Sequence, residues 1–177
     1  MGALARVGRV AREELARAGA REPTVVTIGV FDGVHRGHEL LLALLRARAQ
    51  SFALRSAVVT LHPHPRRVLR PQDEPIPYLT SLTERLDLLA QQGVDHVVPV
   101  TFTKELSMLS AREFAALLVE ELKMRALVVG PDFALGHGRE GTPAVLSALG
   151  REMGFTVEVS SAPKLAMSSP AFERRGK

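Results

Sequence analysis

Short apolar runs alternate with helix-like segments along this chain, and their order determines the fold that the sequence predicts. The runs are rich in β-branched residues and carry few charges, which is typical of strands that are buried on both faces. They predict strands at 24–30, 56–61, 96–100, 126–129 and 156–159. The segments between them predict helices over Glu39–Gln50, from Ser81 to about Gln92, from Ser110 to about Lys123 and from Pro143 to about Gly154.

Local signals mark where three of these helices begin. Ser81 and Ser110 are each followed three residues later by glutamate, which is the pattern of an N-terminal capping box. Pro143 suits the first position of a helix because the backbone there needs no N–H group.

Strict alternation of strands and helices predicts an α/β fold, a doubly wound (Rossmann-like) five-stranded parallel sheet with helices on both faces. Such sheets bind ligands beyond the carboxyl ends of their strands. Three unusual segments follow strands at that edge, namely a turn at 31–38, a proline-rich loop at 63–77 and a glycine-rich loop at 130–142.

The same pattern predicts how the chain is divided. We expect one α/β domain over residues 23–160. Residues 1–22 are expected to form an N-terminal extension, either a short amphipathic helix or an irregular start, and residues 161–177 a divergent tail without periodicity.

Composition narrows the class of function. The net charge of +4 favours anionic ligands, but the basic residues are scattered and aromatic residues make up only 5%, which argues against nucleic acid as a partner. The absence of cysteine excludes disulfides, thiolate metal sites and cysteine nucleophiles. No apolar stretch approaches the ~20 residues of a membrane helix, and the charged N-terminus lacks a signal-peptide core. We therefore expect a cytoplasmic enzyme or binding protein.

The segment TIGVFDGVHRGHELLL, at 27–42, places two histidines at the start of a helix. His35 and His38 are about one helical turn apart, so their rings can share a face. Gly33 and Gly37 leave room for a ligand to approach the backbone, and the first amides of a helix attract anions. The arrangement predicts a phosphate site in which the histidines donate hydrogen bonds to charge that develops on phosphorus.

Other interpretations of these residues stay open. The two histidines could be surface residues at a helix cap. Four histidines could instead bind a metal, although no carboxylate or cysteine completes a familiar zinc spacing; they are His35, His38, His62 and His64. Asp32 could shape the turn, or it could lie near a magnesium ion that is bound to phosphate.

Four ordered motifs together resemble a known family. GVFDGVHRGHELLL at 29–42 looks like the H-x-G-H segment of the nucleotidyltransferase superfamily. More narrowly, it resembles that segment in the FMN adenylyltransferase module of bacterial bifunctional FAD synthetases (riboflavin kinase/FMN adenylyltransferase). Further segments similar to that module are LHPHPRRVLRP at 61–71, YLTSLTERLDLLAQQGVDHVV at 78–98 and LSAREFAALLVEELKMRALVVGPDFALGHGREGT at 109–142. The resemblance covers about residues 24 to 160.

The resemblance implies a reaction and a set of site residues. The FMN phosphate would attack the α-phosphate of ATP in line, with Mg²⁺ accompanying ATP, to give FAD and pyrophosphate. The catalytic residues implied are His35 and His38, which would hold the ATP phosphates. The other ATP-binding residues implied are Gly29, Phe31, Asp32, Gly37, Ser168, Ser169 and Arg174. The flavin-binding residues implied are His62, Pro63, His64, Pro65, Gly130, Asp132, Phe133 and Arg139.

Several of the implied flavin-binding residues also have a purely structural interpretation. The HPHP segment at 62–65 could be a rigid proline turn, Asp132 could cap a turn, and Phe133 could pack in the core. In the same loop, Ala134 and Leu135 stand where the family has arginine and phenylalanine, and Thr142 follows the glycine in place of aspartate. We expect these departures to reshape the flavin contacts.

The tail departs further from the family pattern S-S-T-x-I-R. Ser168 and Ser169 match it, but Pro170 replaces the threonine, Glu173 stands where arginine is expected, and Arg174 lies one residue beyond. An acid near the triphosphate would weaken transfer. We therefore keep a non-catalytic flavin or nucleotide binder as an alternative to an FMN adenylyltransferase. We also expect the riboflavin kinase module to be absent. A nucleotidyltransferase for pantetheine phosphate or an alditol phosphate is disfavoured by the loops at 62–65 and 130–133.

Overall fold

The computed structural model describes residues 8–161, in which strands and helices alternate as the apolar pattern predicts. The strands are β1 (Thr24–Gly29), β2 (Arg55–His62), β3 (His96–Thr101), β4 (Met124–Val129) and β5 (Thr156–Val159). The helices are α1 (Arg9–Ala16), α2 (Arg36–Ser51), α3 (Pro65–Leu69), α4 (Leu82–Gln91), α5 (Lys104–Ser107), α6 (Ala111–Leu122) and α7 (Pro143–Met153). Short 3₁₀ turns lie at Asp32–Val34 and His137–Arg139.

The strands form one parallel sheet in the order β3-β2-β1-β4-β5. The chain moves outward from β1 to β2 and β3, then returns to place β4 on the other side of β1. The predicted doubly wound, five-stranded parallel sheet is confirmed. The reversal between β1 and β4 is the position at which open α/β sheets bind ligands. None of the helices within residues 8–161 is long and apolar enough to cross a membrane.

Helices cover both faces of the sheet because neighbouring residues of each strand point to opposite sides. Val25 of β1 and Val58 of β2 belong to an apolar cluster that includes Leu45 of α2 and Leu89 of α4. The next residues along the same two strands belong to the cluster on the other face, together with α1, α6 and α7. The near-continuous apolar strands are thus explained by burial on both faces.

The predicted helix starts at Ser81, Ser110 and Pro143 are confirmed. Both serine side chains accept a hydrogen bond from the backbone of the glutamate three residues later, and each glutamate bonds back to the serine N–H. Pro143 opens α7 behind Thr142, whose hydroxyl accepts from the N–H of Val145. These caps satisfy backbone donors that have no partner within the helix.

Three helices begin where the sequence pattern did not predict them: α5, which Thr103 caps, and α2 and α3, which histidines cap. α2 starts at Arg36, before the predicted Glu39, since Nδ1 of His35 accepts a 3.2 Å hydrogen bond from the N–H of Gly37. In the predicted loop at 63–77, Nδ1 of His64 accepts a 3.1 Å bond from the N–H of Arg66 and caps α3. Histidine is not among the usual N-cap residues, so the pattern gave no signal for either start.

The described part of the predicted N-terminal extension forms α1 and packs against β3 and α6. Ala11 and Leu15 are 3% and 0% exposed and lie in the same apolar cluster as the core of those elements. The carboxylate of Glu14 accepts hydrogen bonds from the N–H and the hydroxyl of Thr101, at 2.8 and 2.5 Å. α1 therefore supports the sheet edge that is formed by β3.

The glycine-rich loop rests on the start of α6. The carboxylate of Glu140 accepts a 2.8 Å hydrogen bond from the N–H of Ala111, and the backbones of Leu135 and Gly141 pair with each other. The loop after β4 is thus closed on itself and held against a rigid helix.

Leu15→Ala should lower the free energy of unfolding by about 2–5 kcal/mol, because it opens a cavity between α1 and the sheet. Val10→Ala removes an apolar group from the same helix, but Val10 is 52% exposed, so its effect should stay within about 0.5 kcal/mol. Equilibrium unfolding in urea measures both. Equal losses in the two variants would contradict the packing of α1 in the core.

Two glycines of the loop offer a matched test of its contact with α6. Gly136 and Gly138 both have positive φ, 82° and 62°, so alanine at either position costs about 1–2 kcal/mol in backbone strain. A Cβ at Gly136 would also lie 2.5 Å from the backbone nitrogen of Ala111, whereas at Gly138 nothing lies within 4 Å. Gly136→Ala should therefore destabilise the protein more than Gly138→Ala in thermal unfolding. Equal melting temperatures would contradict the contact.

Candidate active site

Three loops lie at the carboxyl edge of the sheet. They follow β2, β1 and β4, which are neighbours in the sheet. Gly29 at the end of β1 pairs in register with Thr60, and the hydroxyl of Thr60 donates a 2.8 Å hydrogen bond to the carbonyl of Val30. The sheet thereby brings the histidine turn, the proline-rich loop and the glycine-rich loop to one edge.

The turn after β1 is built around a buried ring. Phe31 is 2% exposed and has a left-handed backbone, with φ 54°. Its ring fills the space beside Gly29, where an added Cβ would come within 2.9 Å of a ring carbon. It also meets the His38 ring edge-on, with centroids 5.0 Å apart. Both Phe31 and Gly29 therefore support the histidine turn from the core.

The rings of His35 and His38 stack at the start of α2. Their centroids are 3.6 Å apart and their planes are inclined by 23°, so the two rings share a face. Since Nδ1 of His35 accepts the hydrogen bond from Gly37, a neutral His35 ring carries its proton on Nε2. Gly37 itself is buried in the first turn of α2.

His38 is a neutral imidazole at neutral pH. Burial, the adjacent His35 ring and the charge of Arg85 lower the pKa of His38 to about 3, against the opposing effect of Asp32. Its Nδ1 is buried and has no hydrogen-bond partner among residues 8–161. A neutral imidazole has one N–H to donate and one lone pair to accept, so the ring is suited to bind an anion without carrying charge of its own.

Asp32 joins the histidine turn to the chain just before α4. Its carboxylate accepts hydrogen bonds from the N–H groups of Leu79 and Thr80, at 2.8 and 3.0 Å, and from the Thr80 hydroxyl at 2.8 Å. Burial opposes its ionisation, but these bonds and the nearby Arg85 lower the pKa of the carboxyl below its ordinary value. The Asp32 carboxylate therefore links the histidine turn to a distant segment of the chain.

The loop after β2 is organised around Tyr78, the single tyrosine of the chain. Its hydroxyl accepts a 2.7 Å hydrogen bond from the N–H of His64, and its ring lies 5.3 Å from the ring of His62. The guanidinium of Arg67 lies 4.2 Å from the ring centroid, within the range of a cation–π contact. Burial, followed by the charge of Arg85, lowers the pKa of both histidines.

The two prolines of the HPHP segment separate and orient its histidines. Pro63 follows His62 directly at the end of β2, and Pro65 occupies the first position of α3.

A small cleft of about 180 Å³ lies beside α3, lined mainly by Arg66, Arg67 and Arg70 and by acidic residues. None of the four histidines of the site lines this cleft.

The four implied flavin-binding residues of the glycine-rich loop lie in different environments. Gly130 is buried at the end of β4 and Asp132 is exposed. Phe133 is partly buried and packs against the core cluster, as does Leu135. Nη2 of the exposed Arg139 donates a 3.1 Å hydrogen bond to the carbonyl of Asp132. The ring of Phe133 thus takes part in core packing, while Arg139 folds back across the loop.

Sequence reasoning missed Tyr78, Thr80 and Arg85. Arg85 had a usable signal, since it lies one helical turn before Leu89 on the apolar stripe of α4. Tyr78 and Thr80 had no such signal, because their contacts are with distant segments. Tyr78 bonds to His64 across 14 residues, and Thr80 bonds to Asp32 across 48.

The implied tail residues, Ser168, Ser169 and Arg174, lie outside the described residues. Within residues 8–161, no three His, Asp or Glu side chains are grouped so as to hold a metal ion.

Comparisons with known proteins identify the family of the chain. The model of the FAD synthetase family matches residues 18–169. A bifunctional riboflavin kinase/FMN adenylyltransferase from Escherichia coli K12 is 41% identical over 138 residues, which are 77% of this chain and 44% of that protein. One from Pseudomonas fluorescens is 41% identical over 142 residues, 80% of this chain and 45% of that protein. The chain thus spans less than half the length of these relatives.

A solved structure shows the same fold. It is that of a macrolide-efflux protein from Streptococcus pneumoniae, with a TM-score of 0.72 and 24% sequence identity over 88% of this chain and 52% of that one. At this identity the likeness concerns the fold alone. The family match is stronger, because it extends over most of the sequence and includes all three loops at the carboxyl edge. The chain belongs to the FAD synthetase family.

Proposed function

We propose that this chain transfers the adenylyl group of ATP to FMN. An oxygen of the FMN phosphate attacks the α-phosphorus of ATP in line, the bond from that phosphorus to the oxygen that bridges to the β-phosphate breaks, and pyrophosphate leaves. FAD is the other product. The observation that carries the proposal is the stacked pair His35–His38 at the N-terminus of α2, and membership of the FAD synthetase family supports it.

The reaction requires little acid–base catalysis. The second pKa of a phosphate monoester is about 6, so the nucleophile is mostly ionised at neutral pH. The protein must hold two anions in line and stabilise the charge that develops on the α-phosphate. Neutral imidazoles and backbone amides suit this task, because they donate hydrogen bonds without first giving up or taking a proton.

The start of α2 is the proposed site for the ATP phosphates. The first amides of this 16-residue helix point away from it and carry partial positive charge. His35 would donate from Nε2, since its Nδ1 already accepts from Gly37. His38 is the proposed donor to the α-phosphate, because its ring stacks on His35 at 3.6 Å.

Magnesium enters this proposal as part of the substrate. Residues 8–161 contain no group of three His, Asp or Glu side chains that could hold the ion by themselves, whereas Mg²⁺ commonly binds through substrate phosphates and water. With ATP it would neutralise charge on the leaving pyrophosphate.

The loops on either side of the histidine turn are the proposed site for FMN. One is the HPHP segment at 62–65, whose histidines are held by Tyr78. The other is the glycine-rich loop at 130–142, which is fixed against α6 through Glu140. β2 and β4, which carry these loops, flank β1 in the sheet. A ligand held between the loops would therefore face the start of α2.

His38→Ala should lower kcat/KM for FAD formation from FMN and Mg–ATP by about 10²–10³-fold, the usual effect of removing one donor to a developing charge. FAD and pyrophosphate are measured by chromatography. The matched control is His96→Ala, which should retain wild-type activity. His96 is the first residue of β3 and therefore lies at the amino ends of the strands, away from the three loops.

Both histidine variants should be compared with the wild type by thermal unfolding before activity is interpreted. A folded His38→Ala protein with wild-type kcat/KM would remove the histidine turn from the proposed mechanism. Absence of FAD formation by the wild-type chain, with all substrates present, would overturn the proposed function itself.

Binding of Mg–ATP should raise the pKa of His38 from its value of about 3 in the free protein, because nearby phosphate charge favours the protonated ring. The expected result is an upward shift of the His38 titration midpoint in NMR spectra, with resonances assigned by comparison with His38→Ala. Calorimetry shows whether ATP is bound in the same sample. An unchanged midpoint in a nucleotide-saturated protein would place the phosphates elsewhere.

A further inference from the structure

Arg85 is a buried cation beneath the proposed site. It lies on α4 with a relative exposure of 0%, and it is the one charged side chain among the fully buried residues of 8–161. A charged group is rarely buried in this way unless it is well paired, because its desolvation is costly.

The guanidinium of Arg85 is only weakly paired. Nη1 donates a long hydrogen bond of 3.4 Å to the carbonyl of Leu61, and Nη2 lies 3.8 Å from a carboxylate oxygen of Asp32. Nε and Nη2 have no hydrogen-bond partner within the described part of the chain. A buried ion pair is weak evidence for stability, and Asp32 keeps three other hydrogen bonds when Arg85 is removed. The stability of the fold therefore does not explain why α4 buries an arginine here.

We propose that Arg85 is a positioning residue of this site, which ties the histidine turn to the proline-rich loop and fixes a permanent positive charge behind the histidines of both. The proposal concerns the site that is assigned above to ATP and FMN, and it rests on that function for its activity readout only.

Each neighbour of Arg85 either lies next to a histidine segment in the chain or hydrogen-bonds to a histidine. Asp32 begins the turn that carries His35 and His38. Leu61 immediately precedes His62 at the end of β2. The ring of Tyr78, whose centroid is 5.5 Å from the guanidinium carbon, holds the N–H of His64 through its hydroxyl. A single side chain thus contacts the supports of both histidine pairs.

The charge of Arg85 acts on three of these imidazoles. For His38, burial and the His35 ring lower the pKa, Arg85 lowers it further and Asp32 opposes. For His62 and His64, burial is the largest cause and Arg85 the next; Arg67 acts on both in the same direction, Arg66 adds to the effect on His64, and Asp32 again opposes. Arginine stays protonated at any physiological pH. The site therefore keeps a cation that attracts phosphate, while the rings beside it remain neutral donors.

The test compares Arg85→Met, which removes the charge at similar volume, with Arg85→Lys, which keeps it. Arg55→Met is the matched control, because Arg55 is a partly exposed arginine at the opposite end of β2. The free proteins are titrated by NMR, following the ring protons of His38, His62 and His64, and thermal unfolding is recorded for each.

In Arg85→Met we expect the His62 and His64 midpoints to rise, because the nearby cation that lowers both pKa values is removed. Arg85→Lys and Arg55→Met should leave them unchanged. In the transfer assay, kcat/KM should fall by about tenfold, because the site loses the cation behind its histidines, and Arg85→Lys should restore most of it.

Unchanged histidine midpoints in a folded Arg85→Met protein would overturn the inference. A second outcome would also overturn it: Arg85→Met and Arg85→Gln do not fold, while Arg85→Lys folds with wild-type histidine midpoints but remains inactive in the transfer assay. The role of Arg85 would then be structural. If the wild-type chain forms no FAD, the proposed function fails, but the titrations of the free proteins still decide the role of Arg85.

Discussion

The hydrogen bonds between the Asp32 carboxylate and the backbone before α4 hold the two sides of the candidate site together. The turn after β1 has a buried ring and a left-handed residue at Phe31, a conformation that costs free energy on its own. It is held in place by three donors from Leu79 and Thr80, residues that lie beyond three intervening elements, α2, β2 and α3. The geometry of His35 and His38 therefore depends on the packing of α4 as much as on their own segment.

Much of the fold is encoded locally. The three central strands, β2, β1 and β4, were predictable because they are buried on both faces and so read as continuous apolar runs. The edge strands β3 and β5 are partly exposed, and their β-branched residues gave the signal. The starts of α4 and α6 were predictable because Ser81 and Ser110 are followed by glutamate at capping-box spacing, and the structure has both boxes. The three loops were placed at one edge because parallel strands align their carboxyl ends.

The parts of the site that were not predicted depend on contacts between distant segments. Tyr78 meets the N–H of His64 across 14 residues, and Asp32 meets Thr80 across 48. No periodicity along the chain records such pairs. The start of α2 was predicted too late for a different reason, since the cap is a histidine nitrogen and not the oxygen of a serine, threonine or aspartate.

His35 and His64 cap their helices through the same ring atom, and this restricts which residues the two positions can tolerate. Serine or aspartate would satisfy the same backbone N–H groups, but neither would then present a second nitrogen on the far side of a rigid ring. Imidazole can accept from a helix with one nitrogen and donate to a ligand with the other. Substitutions that improve the cap at either position would therefore be expected to stabilise the helix while removing the donor, so that folding and ligand binding respond in opposite directions to the same change.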